Sequence, residues 1–415
     1  MGEKIKVLVV PSDKTGVGYY RSLRPHTKMD ELFGDKFDID IRYDDANGIN
    51  WQDVESLKKY DIINIHKGLM RDMDGFLSAM KECKESGVKI VLDLDDYWEV
   101  GKNHPHYLSN KINGVVPMII NNVKLADYVT TTTPIFAEEI KKHNPNVKVF
   151  VNAIDEEEEQ FIPQPTKSDK LRFGFIMGST HLHDMEMLIG MTNKLSPEIR
   201  NKIQIVLCGF DLRGTLQTIM PDGTIKTSPL PIDQNVWVKF EEILTDNYRL
   251  VSPEYKNFLK MYAANAIYPN EQNEFYVRRW TKDIAHYATH YNDIDVLLVP
   301  LQSNYFNSFK SELKLIEAGF MGKAAIASNF GPYTIGTTNF IEKGGKINEN
   351  GNCILIDEAK SHKDWAKSIE RLAQHPEWVE MLKTNLHNSV KDKYSLTNVT
   401  TERAKWYAEI CGREL

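Results

Sequence analysis

Three observations predict an α/β protein of two domains, each a parallel sheet flanked by helices. Short apolar strands alternate with helical stretches along most of the chain. A charged, proline-containing segment, DEEEEQFIPQPTKSDK at 155–170, interrupts that alternation and reads as a linker. The stretches Lys4–Val10 and Leu171–Met177 then open their halves alike, each an apolar strand running into a glycine turn and a helix. Strands joined by helical crossovers make right-handed connections in a parallel sheet, and ligands gather at the carboxyl ends of its strands.

The 415 residues are enough for two cores, and 41% hydrophobic with 26% charged residues is the balance of a globular protein. No run reaches the roughly eighteen apolar residues of a membrane span. MGEKIK leads directly into a strand rather than a signal peptide, so the expected location is the cytoplasm. Cys83, Cys208, Cys353 and Cys411 form no ligand spacing and read as reduced, mostly buried thiols, with neither metal nor disulfide. A net charge of −7 argues against a general nucleic-acid binder and leaves room only for a local basic cleft.

In the first half, the strand Lys4–Val10 turns into PSDKTGVGYYRSLRP. Gly16 and Gly18 let the backbone approach a ligand closely, or simply make a strand-to-helix turn, with a helix from about Tyr19. Only G-x-G is present, without the third glycine of a dinucleotide fingerprint. Strands follow at Phe37–Arg42, Ile62–Ile65 and Val88–Leu92, separated by helices near Trp51–Lys58 and Phe76–Glu85. One strand ends in His66-Lys67-Gly68, the next in Asp93-Leu94-Asp95-Asp96. Three carboxylates within four residues repel one another, so at least one needs a raised pKa or a cationic partner, or the group holds a divalent metal. A general base or acceptor-orienting group fits Asp95 or Asp96, between which the sequence does not choose, with His66 as a further candidate; a capping and turn cluster fits equally well. A helix near Val116–Lys124, the strand Tyr128–Thr131, a helix ending near His143 and the strand Val147–Val151 complete this half.

In the second half Gly178, Ser179 and Thr180 precede a helix carrying Met185, Leu188 and Ile189, and Ser179 or Thr180 could equally be its cap. The strand Ile203–Cys208 leads to Asp211 and Arg213. Pro221-Asp222-Gly223 reads as the turn of a hairpin within an insertion at 209–250. A helix near Pro253–Ala266 precedes Arg278-Arg279, which either grip phosphate or form a salt-bridge patch. Amphipathic helices around Trp365 and from Trp378 to Val390, then a helix at about Val399–Cys411, end the chain.

The most informative passage is DVLLVPLQSNYFNSFKSELKLIEAGFMGKAAIAS, residues 295–328: strand, polar loop, helix from about Ser311, strand. On that helix Leu313, Ile316 and Phe320 share a face, and Glu317 lies on or beside it. A carboxylate facing inward needs a partner, either a structural Lys or Arg or a ligand. Lys310, seven residues earlier and roughly 10 Å away by helix rise, joins the Ser311 hydroxyl and the helix N-terminus as an anion site.

This passage resembles the nucleotide-sugar site of GT-B glycosyltransferases, in which a glutamate followed by Ala, and then by Gly, Lys and a small apolar strand, holds the donor ribose. Glu317-Ala318 and Gly322-Lys323-Ala324-Ala325-Ile326-Ala327 match that pattern. The large retaining family-4-type enzymes carry a first glutamate eight residues before the second, where this chain has Phe309; an F-N-x-x-K-S-x-L-K-x-x-E signature stands there instead.

The resemblance implies two Rossmann-like domains facing a central cleft: an acceptor domain at 1–155, a linker at 156–170 and a donor domain at 171–395, with a helix at about 396–415 crossing back onto the first. It implies a metal-independent glycosyltransferase without a cofactor, retaining configuration and using a UDP- or GDP-linked sugar on a glycan, lipid-linked or other hydroxyl acceptor. Lys310, Ser311 and the turns Gly16/Gly18 and Gly178-Ser179-Thr180 would meet the donor phosphates, with Arg21, Lys14 and Arg213 as basic candidates. Glu317 would hold the ribose. A sugar-nucleotide epimerase and a non-catalytic binding protein of the same fold are the alternatives, and a base in viral DNA is the less favoured acceptor.

Overall fold

The computed structural model describes residues 3–44, 48–68, 73–220, 224–231, 234–246 and 275–415. The chain divides into two compact units, Met1–Glu157 with Asn304–Ile316 and Val390–Leu415, and Glu158–Ser303 with Glu317–Ser389. It passes from the first to the second inside the helix Leu313–Phe320.

The first unit is built on six parallel strands, β1 (Ile5–Val10), β2 (Phe37–Ile41), β3 (Ile62–His66), β4 (Lys89–Leu94), β5 (Tyr128–Thr131) and β6 (Val147–Val149), in the order β2-β1-β3-β4-β5-β6. Helices cover both faces, which is why β1, β3 and β4 are apolar almost throughout rather than alternating. On one face Leu8, Val10, Ile63, Ile65 and Leu92 pack with Phe76, Met80, Val123 and Phe136. On the other, Val7, Val9 and Val91 meet Met29 of the helix Arg24–Phe33 and Trp406 and Tyr407 of the helix Leu396–Ile410. From β1 the chain moves out to β2 and returns on the other side as β3, so β1 and β3 flank a topological switch point, where open α/β sheets bind ligands.

The second unit repeats the plan. Its strands are β7 (Leu171–Ile176), β8 (Ile203–Phe210), an antiparallel ribbon β9 (Thr215–Ile219) and β10 (Ile225–Pro229), then β11 (Tyr276–Trp280), β12 (Val296–Val299), β13 (Ala324–Ser328) and β14 (Ile354–Ile356). The sheet order is β11-β8-β7-β12-β13-β14, all parallel, with its switch point between β7 and β12. Its core sets Phe173, Phe175, Ile205 and Leu207 against Trp365, Ile369 and Leu372 of the helix Ser361–Gln374. Among the described residues no helix is long and apolar enough to cross a membrane.

Local expectations differ in two places, and two more fall outside the described residues. The helix expected from Tyr19 begins as a short turn, Gly16–Gly18, widens into a π turn, Tyr19–Leu23, and becomes α-helical only at Arg24–Phe33. The helix after β7 stops at Glu186, and Ile189 is half exposed while Met185 and Leu188 are buried. The turn Pro221-Asp222-Gly223 and the helix expected near Pro253–Ala266 lie outside the described residues.

His26 ties two helices of the first unit together. Its Nδ1–H donates to the Ser22 carbonyl at 2.7 Å, and Nε2 accepts from the Tyr407 hydroxyl at 3.0 Å. Burial, helped by the positive charge of Arg403, lowers its pKa from 6.5 to about 3. The unfolded chain therefore binds this proton first, and stability falls as pH drops from 6.5 toward 3, by up to about 1.4 kcal/mol per pH unit. Equilibrium unfolding in urea between pH 6.5 and 4.5 should show that slope, and His26→Gln should flatten it by close to one proton while lowering stability at neutral pH.

Candidate active site

At the carboxyl edge of the first sheet, the three crowded carboxylates each meet a different cation. Arg21 Nη2 and Nε donate to Asp93 Oδ1 and Oδ2 at 2.7 and 2.9 Å. Lys67 Nζ lies 3.3 Å from Asp95 Oδ1, and Lys310 Nζ lies 3.9 Å from Asp96 Oδ1. Burial pushes Asp93 and Asp95 up, but the cations outweigh it. Arg21 holds Asp93 below its ordinary value, and Lys67 with His66 holds Asp95 well below the usual carboxylate range. Of the outcomes expected for this cluster, cationic pairing is the one the side chains show. Among the described residues no group of three or more His, Cys, Asp or Glu is disposed to hold a metal ion.

His66, fully buried at the end of β3, reaches Asp95 Oδ1 through Nε2 at 3.2 Å and Ser12 Oγ through Nδ1 at 2.9 Å. Ser12 follows β1, so this contact spans the switch point. Next to His66, Lys67 holds a φ of 63°, a left-handed conformation that costs a non-glycine residue about 1–3 kcal/mol and is concentrated at functional sites. The bend turns its ammonium toward Asp95.

Arg21 is not available to a phosphate. It is 1% exposed, and beyond Asp93 its Nη1 donates to the Phe150 carbonyl at 2.6 Å and to Asn152 Oδ1 at 3.2 Å. A buried guanidinium with all three nitrogens engaged is a structural brace. The glycine turn is also explained internally. Gly16 has a φ of 48°, and a Cβ on Gly18 would lie 2.2 Å from the Asp13 carbonyl oxygen, so the close approach that Gly18 permits is to its own chain. Lys14 Nζ stands over the Tyr43 ring at 4.7 Å.

Lys310 and Ser311 belong to this unit although they come from the far end of the chain. Phe309 is the anchor: its ring packs against Tyr97 at 4.9 Å and Phe136 at 5.5 Å and is 5% exposed. That apolar burial is why an aromatic residue, not a glutamate, stands there; a carboxylate would be desolvated without a partner. Anchored in this way, Lys310 lies over the Phe306 ring and beside Asp96, and Ser311 Oγ accepts from Asn152 Nδ2 at 2.8 Å. The expected helix start at Ser311 moves to Leu313.

In the second unit Glu317 is fully buried. The Tyr291 and Tyr287 hydroxyls donate to Oε2 at 2.7 and 3.4 Å, and burial beside this carboxylate raises the Tyr287 pKa well above its ordinary value. Gly178, Ser179 and Thr180 are exposed at the end of β7, beside the switch point. Ser179 and Thr180 are not the helix cap, because the helix starts at Leu182 with His181 in the cap position. Arg213 lies past the end of β8, mostly exposed, paired with Asp211 at 3.0 Å and stacked over Trp280. The neighbouring arginines are structural: Arg278 pairs with buried Glu241, and Arg279 with Asp293.

Sequence reasoning missed Ser12, Lys67, Asn152, Tyr287 and Tyr291. Each is a partner of a predicted residue rather than a member of a motif, and only Lys67, beside His66 and Gly68 at a strand end, carried a local signal.

No protein-family model and no curated protein matches the chain. Solved structures do. The Anabaena protein Alr3699/HepE in complex with UDP-glucose aligns over 98% of this chain and 100% of its own, with a TM-score of 0.60 and 11% identity. Sucrose-phosphate synthase from Thermosynechococcus elongatus aligns over 99% and 100%, at 0.60 and 12%. A glycosyltransferase from Rickettsia africae aligns over 99% of both chains, at 0.58 and 12%. The pair of parallel six-stranded sheets is thus the GT-B fold that these enzymes share. At 11–12% identity the likeness is one of fold.

The two predicted arginines should separate cleanly. Arg21→Met leaves Asp93 buried and uncompensated and should cost about 3–5 kcal/mol in denaturant unfolding. Arg213→Ala, at the surface, should stay within about 0.5 kcal/mol of the parent.

Proposed function

We propose that the protein is a glycosyltransferase that moves a sugar from a nucleotide diphosphate sugar to an acceptor hydroxyl. The observation that carries this reading is the carboxyl edge of the first sheet, where Asp95, Asp96 and His66 meet the ammonium groups of Lys67 and Lys310 beside a switch point. The UDP and UDP-glucose complexes of the similarly folded HepE favour a UDP-linked donor over a GDP-linked one.

In the transfer, the anomeric carbon–oxygen bond breaks and its electron pair leaves on the diphosphate, so catalysis must neutralise growing negative charge. Lys310 is the ammonium assigned to that task, with Ser311 and the backbone of Gly178, Ser179 and Thr180 as phosphate donors. Glu317, set by its tyrosines, fixes the nucleoside. Asp96 orients the acceptor hydroxyl, and its proton passes to His66, which Asp95 supports. A divergent relationship to the retaining family-4-type enzymes, with retention of configuration, metal independence and no cofactor, is part of the same proposal. So is a cytoplasmic location, supported by four free cysteines of which three are buried. Arg21, engaged as a brace, has no donor role in this reading.

The test is a thermal-shift series across UDP-, GDP-, ADP- and CMP-sugars, since a ligand at a hundred times its Kd stabilises the native state by about 2.7 kcal/mol. A UDP-sugar should raise Tm, and Lys310→Ala and Glu317→Gln should each remove most of the rise. Free nucleotide diphosphate released only when an acceptor is supplied separates transfer from epimerisation. Indifference to every nucleotide sugar would sink the proposal.

A further inference from the structure

The hydrogen bonds around His66 form a continuous chain from solvent to a buried carboxylate: Ser12 Oγ, His66 Nδ1 at 2.9 Å, and His66 Nε2 to Asp95 Oδ1 at 3.2 Å. Only the first member meets solvent. Ser12 is exposed, His66 is 0% exposed and Asp95 is 5% exposed. His66 is too deeply set for a substrate hydroxyl to reach it directly, and Ser12 is the solvent-facing end of the chain.

The protonation pattern follows from the partners. An ionised carboxylate only accepts, so Nε2 carries the hydrogen toward Asp95 and the Nδ1 lone pair points at Ser12. Ser12 has one hydrogen and two competing acceptors, Asp13 Oδ2 at 2.8 Å, to which it donates, and His66 Nδ1 at 2.9 Å, so the relay engages when the hydroxyl rotates from Asp13 to Nδ1. A hydroxyl, an imidazole and a buried carboxylate in series are the arrangement that activates an oxygen by passing its proton to a supported base; here the two ring nitrogens exchange roles relative to the usual serine triad. Three strand ends supply the parts: Ser12 after β1, His66 at the end of β3, Asp95 after β4.

We propose that Ser12 is a catalytic residue, the entry point of a proton relay that deprotonates the acceptor; this rests on the glycosyltransferase reading above. The acceptor hydroxyl gives its proton to Ser12 Oγ as the Ser12 hydrogen passes to His66 Nδ1. The freed electron pair forms the bond to the anomeric carbon on the face from which the diphosphate departs, which keeps the configuration, while the bond to the diphosphate breaks and takes its pair away. One proton ends on His66, whose imidazolium Asp95 stabilises, and it returns to solvent by the same hydroxyl. Lys67 keeps Asp95 ionised throughout, so the carboxylate supports the base instead of acting as one. The charged groups facing His66 are Asp93 and Asp95 from β4 and its following loop; behind them stand Arg21 from the π turn, paired with Asp93, and Lys67, beside Asp95, while Asp13 from the loop after β1 meets Ser12.

Two measurements on the full chain test this. The first needs no turnover: long-range 1H–15N correlation of the His66 ring in the free protein. At neutral pH it should report a protonated Nε2 and an unprotonated, hydrogen-bonded Nδ1 whose resonance moves in Ser12→Ala. A protonated Nδ1, or a ring indifferent to Ser12→Ala, overturns the relay even if no acceptor is known. The second is kinetic. Ser12→Ala should lower kcat by about 10²-fold or more and abolish its acid limb, with the donor KM within about twofold and the donor-induced Tm rise intact. Ser12→Thr, which keeps the hydroxyl, should restore most of the rate. A kcat and pH profile unchanged in Ser12→Ala overturns the proposal, whereas an absent Tm rise in the parent protein counts against the glycosyltransferase reading itself.

Discussion

Three carboxylates in four residues cannot stand together at a strand end without positive charge, and the first unit is organised around supplying it. Arg21 comes from the turn after β1, Lys67 from the strand next door, and Lys310 from a segment more than two hundred residues further along. Each cation takes a different carboxylate. The pairing decides which groups are free for chemistry: Arg21 and Asp93 are consumed as a buried brace, Asp95 is fixed as an anion, and Asp96 with Lys310 remains partly open to solvent.

That division shifts the chemistry away from the residue that composition alone recommends. A carboxylate held far below its ordinary pKa is a poor base at neutral pH, however well placed. It is, however, a good anchor for an imidazole, since a nearby anion stabilises the protonated ring. The second unit uses the same economy with different groups. Glu317, buried on its helix, is oriented by two tyrosine hydroxyls four residues apart on one short helix.

Bulk apolar anchoring does the rest. Phe309 buries its ring among Tyr97 and Phe136, and the seat of Lys310 and Ser311 follows from that contact. Hydrophobic burial is non-directional and strong, so one aromatic side chain can hold a loop whose polar members are then free to face Asp96 and Asn152.

The repeated alternation of apolar strands and helices, with an unalternating charged stretch near its middle, was enough to determine two parallel sheets, because strand burial on both faces and right-handed crossovers leave few other arrangements. The ends of β3 and β4 also advertised themselves, since His66 and a run of aspartates are out of place in apolar strands. The sequence could not disclose that Arg21 is a brace, that Gly18 makes room for Asp13, that Tyr291 serves Glu317, or that Ser12 meets His66. Those partners lie between 5 and 131 positions apart, and hydrogen bonds and ion pairs at such separations depend on the register of the sheet and the path of its turns. Periodicity records which way a side chain faces; only the assembled fold decides what it faces.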